Sequence, residues 1–161
     1  MNLKEAEKLV TLNINAFPST FVNVSEKQLN AMAIVWFEVL KNLHFDEAKE
    51  ALARALRKAK YPLTIGDITE QIEGDLVNSD YVNRFVKLSY ECASKLMGFS
   101  PAKFSSFPKT IQKFWKNSEA LYQINKFTKE EELAKNAKIK QMFSRFHLNE
   151  ILNGESKKLL K

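Results

Sequence analysis

The sequence is poor in glycine, proline, cysteine and histidine. Its 161 residues include 4 Gly, 4 Pro, 1 Cys and 2 His. So few turn-forming residues argue against a β-rich fold. The lone Cys92 excludes an intramolecular disulfide framework and a multi-cysteine zinc site. It suits a reducing compartment, and its simplest role is a small buried hydrophobe on a helix face. The glycines, at 66, 74, 98 and 154, are too scattered for a phosphate-cradling loop. No G-x-x-x-x-G-K-[ST] occurs, which argues against Walker-type ATP hydrolysis. His44 and His147 form no H-E-x-x-H pair. His44 reads as a helix-end or turn residue and His147 as a helix-face contact. There is no nucleophile elbow, and the carboxylates are spread along helices as solvated faces. No catalytic, cofactor-binding or metal-ligating residue is therefore expected, and the chain is not expected to be an enzyme. No N-terminal apolar run follows a basic start, and no apolar run reaches the roughly 18 residues of a membrane span. A cytoplasmic protein with no membrane partner is expected.

What the chain does have is 45% hydrophobic residues and 12 Phe, enough for a packed core. Its common residues are helix formers, so the fold class expected is all-α. Charge is divided unevenly. Residues 1–80 carry nine Lys and Arg against twelve Asp and Glu, a balance of −3. Residues 81–161 carry sixteen against seven, a balance of +9. A basic half suits an acidic partner, whether nucleic acid or protein.

Helical spacing runs through the first half. Leu3, Ala6, Leu9, Val10 and Ile14 share one face, ended by Phe17-Pro18. Ser25 with Gln28 makes a capping box. It opens a helix with Leu29, Met32, Ala33, Trp36 and Leu40, running to about residue 43. Val35, Phe37 and Val39 widen its apolar surface, so this helix is expected to be central. Asp46 is a candidate cap for an Ala-rich helix whose last turns carry Arg54, Arg57, Lys58 and Lys60. Pro62 then breaks the helix, and Thr64 with Asp67 starts another. Tyr61, Leu63, Ile65 and Ile68 are available to fill that corner. Gly74 is expected to end the short helix, with residues 74–80 as a hinge.

In the second half, Val82, Phe85, Val86, Ser89, Cys92 and Leu96 mark a helix, with Gly98 after it as a C-terminal cap. Ser100-Pro101 is a cap and first-turn pair. Residues 102–107 read as loop, Pro108 as a helix start and Ser118 as a cap. Thr128 with Glu131 repeats the capping box before a long helix through Ile139, Phe143, Phe146 and Ile151. The tail beyond Ser156 is too short and charged to fold alone. Phe104, Phe107, Phe114, Trp115, Phe127, Phe143 and Phe146 alternate with Lys109, Lys113, Lys116, Lys135, Lys138, Lys140 and Arg145. Two readings stand: aromatics stacking on single-stranded bases, or an aromatic core beneath a solubilising basic exterior.

Several of these segments form a pattern seen elsewhere. It comprises Ala16-Phe17-Pro18 with Phe21, the capped helix with Trp36, Leu43-His44-Phe45-Asp46, and Lys60-Tyr61-Pro62-Leu63-Thr64-Ile65-Gly66-Asp67-Ile68. In this order they resemble the N-terminal domain of the phage replicative-helicase loader/inhibitor family of Gram-positive phages and prophages. Leu63 stands where that family often has a second proline. The likeness covers about residues 5–72. A fainter one continues through Phe107-Pro108-Lys109-Thr110-Ile111 and Ala120-Leu121. The shared residues Phe17, Pro18, Trp36, Tyr61, Pro62, Thr64 and Asp67 are packing motifs rather than chemistry.

The resemblance implies an ATPase-free helical domain, residues 1–74, followed by a more mobile C-terminal part, whereas the many aromatic and apolar residues of this chain's second half argue for a folded basic helical region, 75–161. It implies a hexameric replicative helicase as partner and delivery of that helicase to an origin-bound initiator, by loading or inhibition, during phage DNA replication. It also implies that the C-terminal part contributes to helicase binding. Phe143, Phe146 and Ile151, if exposed, together with Lys135, Lys138, Lys140 and Arg145, are the candidate contacts. No cofactor is implied. The alternative function is a direct nucleic-acid-binding regulatory module, in which the basic half itself contacts DNA.

Overall fold

The computed structural model describes residues 1–96, 98–126 and 129–156, with side chains from residue 131 in the last stretch. It is all-α, with no strand among the described residues. Two compact units divide the described residues, one of residues 1–75 together with 147–156, the other of residues 76–146.

The first unit is built on α1 (Leu3–Ala16), α2 (Glu26–Leu40), α3 (Phe45–Leu56) and most of α4 (Ile65–Val77). Capping boxes start α1 at Asn2 and α2 at Ser25, where the side chain of each residue of the pair accepts from the other's free backbone N–H. α1 packs on both α2 and α3, so α1, not the wider apolar α2, is the central helix. The reason is visible on α2 itself, where Ile34 and Val35 are exposed and only Ala33, Trp36 and Leu40 are buried. Small side chains at the crossings, Ala6, Ala33, Ala48 and Ala51, let the helices approach closely.

Several boundaries differ from the pattern expected. α2 stops at Leu40, and Leu43 is buried in the corner beyond it. There the Met1 ammonium donates to the Lys41 and Leu43 carbonyls, both at 2.9 Å. The cap position of α3 is His44, without a side-chain bond, and Asp46 lies in the first turn. α3 ends at Leu56, so Arg57, Lys58 and Lys60 belong to the loop rather than to its last turn. Gly74 does not end α4 but sits inside it. The cost of a mid-helix glycine is about 1 kcal/mol, small beside burial of the i, i+4 row Ile68, Ile72 and Leu76. The break falls at Asn78 and Ser79, and the Ser79 hydroxyl caps the next helix.

The second unit holds α5 (Asp80–Ser94), α6 (Pro101–Ser105), α7 (Lys109–Trp115), α8 (Ser118–Tyr122), a 3-10 turn (Gln123–Lys126) and the start of α9 (Lys129–Leu152). Of residues 102–107, expected as loop, 102–105 are helical, opened by the Ser100 cap and the first-turn Pro101 that were expected. Pro108 precedes α7, and Asn117 rather than Ser118 caps α8 through a 2.8 Å bond to the Ala120 N–H. Gly98 has φ +75°, the left-handed geometry expected of it. The Thr128 capping box, Phe127 and the tail from Lys157 lie outside the described residues.

The second unit's core sets a cluster of aromatic rings among aliphatic side chains. Phe143 lies parallel to Phe85 with ring centroids 3.4 Å apart, and Phe114 meets both rings edge-on at 5.5 and 5.1 Å. Polar tips within it are satisfied. Trp115 Nε1 donates to Ser89 Oγ at 3.1 Å, and the Tyr90 hydroxyl donates to Asn136 at 2.7 Å. Burial pushes the Cys92 thiol above its ordinary pKa, consistent with an inert core residue.

Candidate protein-docking surfaces

The corner around Lys58–Ile68 is held from beneath by a residue the sequence pattern does not single out. Asn13, on α1, is fully buried. Its Nδ2 donates to the Leu63 carbonyl at 2.8 Å, and its Oδ1 accepts from the Leu63 N–H at 3.0 Å. One amide thus pairs with both polar groups of one backbone residue, which fixes the loop on α1. Beyond it, Thr64 and Asp67 make the capping box expected. The Thr64 N–H and hydroxyl both donate to Asp67 Oδ2 at 2.6 Å, and the Asp67 N–H donates to Thr64 Oγ1 at 3.3 Å. The Thr64 hydroxyl first, then the Thr64 backbone N–H, holds the Asp67 carboxyl below its ordinary pKa.

With Ile68 and the Asn13 clamp filling the corner, Tyr61 is not packing material. It is 78% exposed, beside exposed Lys58 and Lys60. Pro62 is half-buried behind it, and Trp36 is core. Phe17 is half-buried where α1 ends, and Pro18 is exposed.

The candidate contacts on α9 separate into an inner and an outer set. Phe143 is 0% exposed and Ile151 2%, so neither is available to a partner. Both lie on the inner side of their helix, Phe143 in the aromatic core and Ile151 in the first unit's core. Phe146 is half-buried, its ring 6.2 Å from that of Phe143. Lys135 is half-buried and lies 3.7 Å from Glu131, and Lys140 is also half-buried. Lys138 and Arg145 are exposed, and so is Met142 between them. These three fall at i, i+4 and i+7, one outward stripe of two cations and a flexible thioether. Met142 could have been found by asking which face remains once Ile139, Phe143 and Phe146 are turned inward.

A second surface feature lies on the 3-10 turn. Phe99, 52% exposed, meets Tyr122 edge-on at 5.2 Å. Lys126 Nζ sits 6.0 and 5.8 Å from the two ring centroids. Among the described residues no group of three or more His, Cys, Asp and Glu is placed to hold a metal. No described helix is long and apolar enough to cross a membrane.

The capped corner after the Tyr61-Pro62 step, the Phe17-Pro18 helix end and the buried Trp36 are now in place. Residues 1–69 match the family model of the gp39 protein N-terminal domain. That family is a phage helicase loader/inhibitor. The match contains α1, α2, α3 and the first turn of α4, with Asn13, Trp36, Tyr61, Thr64 and Asp67, and none of the second unit. No curated protein and no solved structure matches the chain.

Proposed function

We propose that the protein is an adaptor that binds the hexameric replicative DNA helicase of a phage or its bacterial host, and loads it or holds it inactive. It works in the host cytoplasm during phage DNA replication, without being an enzyme itself. The observation that carries this reading is the match to the gp39 N-terminal domain, whose corner at residues 63–67 is held by the Asn13 clamp and the Thr64–Asp67 box. An origin-bound initiator is the second partner of this role. The outward α9 stripe of Lys138, Met142 and Arg145 takes the place of Phe143 and Ile151 as the contact with the helicase. Mixing the purified chain with the hexameric helicase, with and without nucleotide, should give a co-eluting complex. No complex in either condition rejects the reading. Lys138→Glu with Arg145→Glu should weaken the complex, and undiminished affinity removes α9 from it.

Direct binding of single-stranded nucleic acid is the second reading, and Phe99 with Tyr122 and Lys126 favours it. An exposed ring beside an ammonium is a stacking platform next to a phosphate contact. A DNA titration at two salt concentrations tests it. Affinity that falls steeply with salt and is lost in Phe99→Ala supports this reading, and salt-independent or absent binding removes it.

A further inference from the structure

The first unit carries an open groove of about 670 Å³ between α1 and the start of α3. Lys4, Glu7, Lys8 and Leu12 line it from one side and Phe45 and Lys49 from the other. Lys4, Lys8 and Leu12 follow at i, i+4 and i+8, so the groove tracks α1 for about 12 Å, more than two turns. That length matches a short helix laid alongside. The floor is apolar, with Leu12 40% exposed and the Phe45 ring half-buried. The rim is cationic, with three lysines against Glu7. Lys8 and Lys49 Nζ stand 5.8 and 6.0 Å from the Phe45 centroid. Each ammonium group is drawn to the ring and keeps N–H donors for an incoming carboxylate.

We propose that this groove binds an acidic amphipathic helix of a protein partner. Leucine or aromatic side chains of that helix cover Leu12 and Phe45, and its Asp or Glu residues pair with Lys8 and Lys49. A second copy of this chain is a poorer occupant, because a two-fold contact would set lysine against lysine. The apolar floor likewise offers nothing to a phosphate backbone. The inference stands on the groove itself and does not require the partner to be a helicase.

The test is an NMR titration of the isotope-labelled full chain with a designed peptide. The peptide is an acetylated helix of about 15 residues, the length at which a helix begins to hold in water. It carries Leu on one face and Glu on the other. Saturable shifts at Lys8, Leu12, Phe45 and Lys49 are expected. Lys8→Glu combined with Lys49→Glu should lower affinity about tenfold or more, since two exposed pairs become repulsions. Leu12→Glu, also at an exposed position, should abolish the shifts while the rest of the spectrum stays folded. Absence of saturable shifts overturns the proposal. So does equal binding of a peptide with Lys in place of Glu, or unchanged affinity of the charge-reversed chain. Shifts at the same residues that grow with protein concentration alone identify a second copy as the occupant and also overturn it.

Discussion

The two units reach a packed interior by different means. The first is made of aliphatic and small side chains around the indole of Trp36, and its most specific contact is a buried amide pairing with one backbone residue. The second adds to its aliphatic residues a cluster of phenylalanines whose rings stack and meet edge-on. An aliphatic interior relies on helices fitting closely, and a clamp such as Asn13 fixes which loop geometry goes with that fit. An aromatic interior gathers large area from few residues and adds ring geometry. The two depend on different single residues, and each holds one of the chain's two tryptophans, Trp36 and Trp115. Replacing either with Phe leaves a fluorescence reporter for the other unit.

The largest effect is expected at Phe143. Its ring is fully buried between Phe85, Phe114 and Phe146. Phe143→Ala should cost about 3–5 kcal/mol, through lost burial and an unfilled cavity. Urea unfolding read by Trp115 in a Trp36→Phe background measures it. A loss below about 1 kcal/mol would mean that the aromatic stack is dispensable, and the contrast between the units would collapse.

Asn13 comes next. Asn13→Ala removes both bonds to Leu63 and strands a backbone N–H and carbonyl under the corner, an expected cost of about 2–4 kcal/mol. Asn13→Asp should not rescue it, because the carboxylate cannot donate to the Leu63 carbonyl and brings a charge into the core. Unfolding followed by Trp36 decides the matter. If Asn13→Leu is as stable as the parent chain, the clamp is only a satisfied polar pair and the first unit is held by packing alone.

The longer helices, the Ser25 and Thr64 capping boxes, the Trp36 face and the all-α class were legible in the sequence, because each rests on local spacing, whereas α6 was read as loop. Gly74 misled because propensity is a small local cost and a buried Ile68–Ile72–Leu76 row is not local. Phe143 and Ile151 misled for a related reason. Apolar residues on a basic helix can face a partner or a core, and only long-range packing settles which: Phe143 meets Phe85 and Phe114, and Ile151 is buried within the first unit. Asn13 left no signal, since an asparagine within an apolar helical face has no stated purpose until Leu63, fifty positions on, is beside it. The α1–α3 groove was hidden likewise, because Leu12 and Phe45 belong to different helices.

A smaller effect belongs to the Thr64–Asp67 box. Thr64→Ala should cost about 1 kcal/mol, as for the loss of an N-terminal cap. The box also carries a pH signature. The folded pKa of Asp67 lies below its ordinary 3.8, so the stabilisation is fully present above that value. It is lost as pH falls through the depressed pKa, on protonation of the carboxylate that accepts from Thr64. The difference between Thr64→Ala and the parent should therefore be constant near neutral pH and narrow below about pH 3.8, leaving the part due to the Asp67 N–H bond to Thr64 Oγ1. A gap that persists unchanged into acid would place the cap's worth in the threonine alone.

The smallest effect is expected at Tyr61, and it bears most directly on what the corner is for. At 78% exposure it has little area to lose, so Tyr61→Ala should shift stability by no more than about 0.5 kcal/mol. Phe99, exposed yet resting on Tyr122, should cost more when replaced by Ala. A clear destabilisation on losing Tyr61 would mean that the ring packs, as its position beside Pro62 in the motif first suggests. A neutral result leaves a large ring held in water on a loop that Asn13 anchors. The fold gains nothing from keeping it there, so the tyrosine would be a contact residue. Measured alongside stability, helicase co-elution of Tyr61→Ala separates the two roles, because a contact residue weakens the complex while leaving the unfolding midpoint where it was.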